Sequence, residues 1–133
     1  MTRRLAFACA AVGAIMFTQC GAAADLYVIA HPSTVIAADD VKDVYVGEKQ
    51  FAGNVKLVPT DNPVAQALFL DRVLRMDGGR YNTVWIKKGF RDGILAPAQK
   101  SSDSAVIEFV RSTPGAVGYV TSPPASVTIV QKY

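Results

Sequence analysis

Cysteine is missing from all but the first 20 residues: Cys9 and Cys20 are the only two in the chain. The remainder can form neither a disulfide nor a thiolate metal site, and its stability must rest on packing. Histidine is nearly as scarce. His31 stands alone, and one imidazole without a cysteine or a nearby carboxylate pair makes a poor metal centre. Charge of one sign is also lacking beyond the N-terminus. The chain has 14 basic residues, of which Arg3 and Arg4 leave 12 for the rest, against 11 acidic ones. A net charge of +1 gives no electrostatic basis for a nucleic-acid or anionic-membrane partner. There is no Walker-type glycine loop, no nucleophile beside a base and no carboxylate cluster, so neither a catalytic constellation nor a cofactor signature is visible.

What is present begins with an export signal. Arg3 and Arg4 precede an uncharged apolar run over residues 5–17, followed by Gly21, Ala22, Ala23 and Ala24. A positive n-region, a short h-region and a small-x-small site is the order of a signal peptide, with cleavage expected between Ala24 and Asp25. The apolar run is shorter than the roughly 20 residues that a spanning helix requires. Cys20 invites a lipoprotein reading, but Phe17, Thr18 and Gln19 lack the small residue expected before a lipidated cysteine. Residues 25–133 are therefore expected to work in the periplasm or outside the cell. At 109 residues (133 less 24) they suffice for one domain with a modest core.

Short apolar runs alternate with helical periodicity. Residues 26–30 (LYVIA) read as a buried strand ended by His31-Pro32-Ser33. Val41, Val44 and Tyr45 at i, i+3, i+4 predict a helix of about two turns over residues 39–46, closed by Gly47. A second strand is expected over residues 55–58, stopped by Pro59. Residues 63–75 predict the clearest helix, with Asn62 as N-cap, Pro63 at N1 and Asp77-Gly78-Gly79 as its end. Residues 80–90 suggest a turn or two of helix around Tyr81 and Trp85, with Arg80, Lys87, Lys88 and Arg91 as a local basic cluster. Ser102 or Asp103 caps a helix to Ser112, after which residues 117–120 and 126–130 form strands. This alternation predicts an α/β fold, a small three-layer sheet with helices on both faces.

Several segments in combination resemble a known family. VIAHPSTVIAADDVKDVYVG, VKLVPTDNPVAQALFLDRVL and SSDSAVIEFVRSTPGAVGYV are similar to the substrate-binding proteins of phosphate ABC transporters. The most specific piece is TPGAVGYV at residues 113–120. Full-length members of that family have two lobes with ligand held between them, so the resemblance implies one lobe of a type 2 periplasmic binding protein, and with it half a cleft. It also implies an oxyanion ligand and an ABC transporter permease as partner. The family's Ser-Gly-Thr element, however, is replaced here by Asn62-Pro63-Val64 beside Asp61. Proline removes an N–H donor, valine brings no hydroxyl, and the aspartate repels an anion unless it is paired or meets a protonated ligand.

Candidate ligand contacts are His31, Ser33 and Thr34 after the first strand, Thr60 and Asn62 before the long helix, and Ser101 and Ser102 before the last one. These hydroxyl, amide and imidazole groups are expected along one cleft edge, and each also has an ordinary role as a turn or cap residue. Two functions follow as expectations. One is a phosphate-type binding protein of a single lobe, acting without catalysis. The other is an envelope interaction module that has lost its ligand and uses the cleft edge to contact a partner chain or a second copy of itself.

Overall fold

A computed structural model describes residues 24–133, and the segment read as a signal peptide, including Cys20, lies outside the described residues apart from Ala24. Seven strands and four helices follow in order: β1 (Tyr27–Ala30), α1 (Val41–Tyr45), β2 (Phe51–Ala52), β3 (Val55–Lys56), β4 (Val58–Asp61), α2 (Gln66–Phe69), α3 (Gly78–Asp92), β5 (Ala98–Gln99), α4 (Asp103–Ser112), β6 (Ala116–Val120) and β7 (Thr128–Lys132). A 3-10 turn leads into α1, and a π-helical turn, Leu70–Leu74, continues α2. The main sheet has the order β5-β4-β6-β1-β7, with β2 and β3 as a separate hairpin. β4 runs parallel to both β5 and β6, whereas β1 is antiparallel to β6 and β7.

Strand periodicity divides the core into two layers, because alternate residues of a strand face opposite sides. Leu26 and Val28 of the first strand region, with Val117 and Tyr119 of β6, face Val41, Phe69, Leu74, Tyr81 and Trp85. Tyr27, Ile29, Ala116 and Val120 face Val106 and Val110 of α4. Helices therefore cover both faces, as the alternation of elements implies. Gly118 is required by the α4 layer, since a Cβ there would sit 2.5 Å from Val106 Cγ1. In the other layer Phe69 stacks on Tyr119 with centroids 4.0 Å apart, and Tyr45 meets Phe69 edge-on at 4.6 Å.

Three local expectations are corrected. Pro59 does not end a strand but lies within β4. Val58 N–H donates to Gly115 on the β6 side, so the missing donor of Pro59 faces the β5 side, where pairing begins only at Thr60. The helix expected from residue 63 begins at Gln66, and its N-cap position is Ala65. Asn62 instead closes a turn, its Oδ1 accepting from Val64 N–H at 3.1 Å. Finally, Asp77-Gly78-Gly79 opens a helix where the sequence suggested only a stop. Asp77 accepts from Arg80 N–H at 2.7 Å, and α3 runs for 15 residues. The basic cluster on α3 is divided as a result: Lys88 points inward and pairs with Glu48 at 2.9 Å.

Candidate functional site

The chain leaves β4 along one face of the sheet, through α2 and α3, to reach β5. It then returns along the other face, through α4, to β6 on the opposite side of β4. Strand order thus reverses around β4, and in open α/β sheets the carboxyl edge at such a point is where ligands bind. Asp61 ends β4 there and Asn62 follows it, with Ser101 and Ser102 following β5 and Thr121 and Ser122 following β6.

The seven residues expected along one edge fall into two groups. Thr60, Asn62, Ser101 and Ser102 lie toward the carboxyl edge of β4 and β5. His31, Ser33 and Thr34 lie at the other end of the sheet: Ala30 pairs with Val117, His31 N–H donates to Ala116, and Thr34 Oγ1 accepts Gly115 N–H at 2.8 Å. Asn62 reaches the Tyr119 carbonyl instead. The two groups are therefore separated by roughly 15 Å of strand, at about 3.3 Å per residue. His31 is occupied locally, its Nδ1 within 2.7 Å of Ser33 Oγ and 3.0 Å of Ser33 N. At the β4 edge, Thr60 Oγ1 donates to the Ala98 carbonyl at 2.6 Å, and Ser102 Oγ caps α4 by accepting Ala105 N–H at 3.2 Å. Ser101 is exposed.

A carboxylate dominates the cleft beside this edge. Asp61 is 4% exposed, and its two oxygens accept from the hydroxyls of Tyr119 at 2.8 Å and Tyr81 at 2.9 Å. Among the described residues no ion pair reaches it. Burial raises its pKa above the usual value, and the two tyrosine hydrogen bonds hold that rise back. Burial and the neighbouring carboxylate likewise push Tyr81 and Tyr119 far above the usual phenol range, so both remain donors. The Tyr45 hydroxyl lies 2.9 Å from the Thr60 carbonyl and 3.2 Å from that of Val117, bridging the two strands beneath Asp61. Trp85 Nε1 donates to the Tyr45 carbonyl at 3.1 Å, which fixes α3 over the same layer.

Asp61 and Tyr81 form the floor of a cleft of about 390 Å³ whose walls are Gln66, Asn82, Trp85, Ile86, Ala96, Pro97 and Gln99. Its lining carries no cationic side chain. Wider concavities of about 780 Å³ under α2 and about 500 Å³ behind Trp85 have only exposed or half-buried charged residues in their walls. The Asp61 cleft is the one with a buried charge. A site of this composition favours a hydrogen-bond donor or a cation over a fully ionised oxyanion.

Sequence reading identified the charge of Asp61 but not its partners. Tyr81 read as ordinary core and Tyr119 as part of a strand, because their hydroxyls find Asp61 across 20 and 58 residues of chain. Gln66, Asn82 and Gln99 carried no motif. The conjunction of a strand-ending aspartate with a tyrosine on the return strand was the available signal.

No family model and no curated protein matches the chain. Among solved structures it is similar to the crystal structure of PstS from Borrelia burgdorferi, with a TM-score of 0.51 and 16% sequence identity over 73% of this chain. The match spans 41% of the length of that protein. The likeness is one of fold, and with the five-stranded sheet flanked by helices it gives this chain the α/β architecture of a periplasmic-binding-protein lobe.

Proposed function

We propose that this chain is an exported, non-catalytic binding domain that recognises its target at the carboxyl edge of β4. The observation that carries the reading is the buried Asp61 carboxylate, held by two tyrosine hydroxyls and facing an open cleft at the point where strand order reverses. The resemblance to phosphate-transport binding proteins contributes the general role, a ligand taken at this edge, with an ABC transporter permease as a partner of that role. It does not extend to phosphate chemistry, because an ionised oxyanion entering the cleft would meet a buried carboxylate with no cationic side chain beside it. The favoured small ligand is one that offers protons to Asp61.

A specific observation favours a second reading, contact with another chain. Ile86 is 60% exposed on α3 at the cleft wall, while Phe90, one turn further on, and Leu95 are 91% and 88% exposed. Apolar side chains beside a polar cleft suit a protein surface.

Calorimetric titration of inorganic phosphate into the purified protein, with sedimentation analysis of its mass, separates these readings. The expected result is phosphate affinity on the order of millimolar or weaker, no more than about 4 kcal/mol. Micromolar binding by a monomer would contradict the proposal. Self-association lost on replacing Phe90 with a polar residue would place the second reading ahead of the first.

A further inference from the structure

A second carboxylate, that of Asp103, is held by a set of donors at the same edge. Its Oδ2 accepts from Thr121 N–H at 3.1 Å, Thr121 Oγ1 at 2.7 Å, Ser122 N–H at 3.2 Å and Ser122 Oγ at 2.7 Å. Its Oδ1 accepts from Asn62 Nδ2 at 2.6 Å. Five donors from the ends of two strands therefore converge on one carboxylate supplied by a helix. The helix contributes none of them, since the Ala105 N–H in its first turn is occupied by Ser102 Oγ. Successive backbone N–H groups joined by hydroxyls and an amide are the donor set that proteins use to hold oxyanions. Lysine and arginine take no part in it.

We propose that Asn62, Thr121 and Ser122 form an oxyanion cradle that the chain fills with its own Asp103 carboxylate. The side chain acts as a tethered anion: it joins the ends of β4 and β6 to α4 and excludes a free oxyanion from the same donors. Asp103 and Thr121 are half-buried and Ser122 is exposed, so the cradle opens to solvent and a dissolved ion can reach it once the carboxylate is removed. This site is separate from the Asp61 cleft, and it stands or falls independently of the function proposed there.

The test is chemical rescue. Asp103→Ala empties the cradle while leaving all five donors, whereas Asp103→Asn fills it with a neutral group. Thermal unfolding of the purified protein and both variants would be followed in sodium phosphate, sodium acetate and sodium chloride at matched ionic strength. The Ala variant should gain several degrees more in midpoint, in phosphate or acetate over chloride, than the wild type and the Asn variant, whose smaller common gain reports the general exclusion of these salts from protein surface. A smaller gain in the Asp103→Ala/Ser122→Ala double variant would assign the effect to the cradle. If Asp103→Ala is unfolded in chloride, the same comparison is read as recovery of folded signal on adding phosphate. No anion-specific gain or recovery in the Ala variant would overturn the cradle. An equal gain in wild type would overturn its occupation by Asp103.

Discussion

Asp61 and Asp103 lie on either side of Asn62 at one sheet edge, yet their surroundings drive them in opposite directions. Asp61 has lost nearly all its water and receives two hydroxyl donors, so burial raises its pKa. Burial also acts to raise that of Asp103, but the hydrogen bonds from Ser122, Thr121 and Asn62 outweigh it and bring the pKa below the usual range. The difference shows that donor number and residual hydration, and not residue type, decide whether a carboxylate at this edge is comfortable as an anion. It also bears on function, because the comfortable anion is already tied down while the uncomfortable one faces the open cleft.

The largest test of this contrast is removal of Asp61. Asp61→Ala leaves two buried tyrosine hydroxyls without their acceptor, at a cost of about 2–4 kcal/mol in denaturant unfolding. Asp103→Asn should follow, at about 2 kcal/mol at neutral pH, because it discards charge-assisted bonds and turns an amide donor toward other donors. Ser102→Ala removes only the cap of α4 and should cost about 1 kcal/mol. The smallest change is expected for Asp61→Asn, within about 1 kcal/mol at neutral pH, since losing a buried charge offsets a weakened acceptor. Equal losses for the two Asp→Asn variants would remove the distinction between the sites.

Dependence on pH sharpens the comparison, because the two groups contribute with opposite sign. With its folded pKa raised, Asp61 binds more protons in the folded state. Its contribution is fully present below the unfolded value, near 3.8, and is lost as pH rises through the folded value. Asp103, with its folded pKa lowered, contributes stability above the unfolded value that is lost as pH falls through the folded one. Asp61→Asn should therefore flatten the decline on the upper side of 3.8, and Asp103→Asn the loss on the acid side. Denaturant midpoints across this range would resolve both slopes.

Most of the scaffold was legible in sequence because its signals are local. The continuous apolar runs of β1 and β6, the i, i+3, i+4 spacing of α1 and the Ser102 cap of α4 each lie within a few residues. Failures arose where tertiary contacts competed with a local signal. Asn62 carries the chemistry of an N-cap, but Asp103 and the Tyr119 carbonyl hold its amide at the sheet edge, and the helix starts further along. Asp77-Gly78-Gly79 carries the chemistry of a stop as well as of a start, and only the hydrogen bond to Arg80 N–H distinguishes them. The site itself was legible as an edge with an unfavourable aspartate. Its tyrosine donors, and the Thr121 and Ser122 donors of Asp103, are set by strand order and have no local pattern.

The contrast between the two carboxylates is measured most directly by a carbon-13 NMR titration that follows the side-chain carboxyl signals of Asp61 and Asp103 in the same folded sample. The expected result is a midpoint for Asp61 above the usual aspartate value and one for Asp103 below it. An Asp61 midpoint equal to or lower than that of Asp103 would contradict the division of this edge into one buried carboxylate facing the cleft and one internal anion.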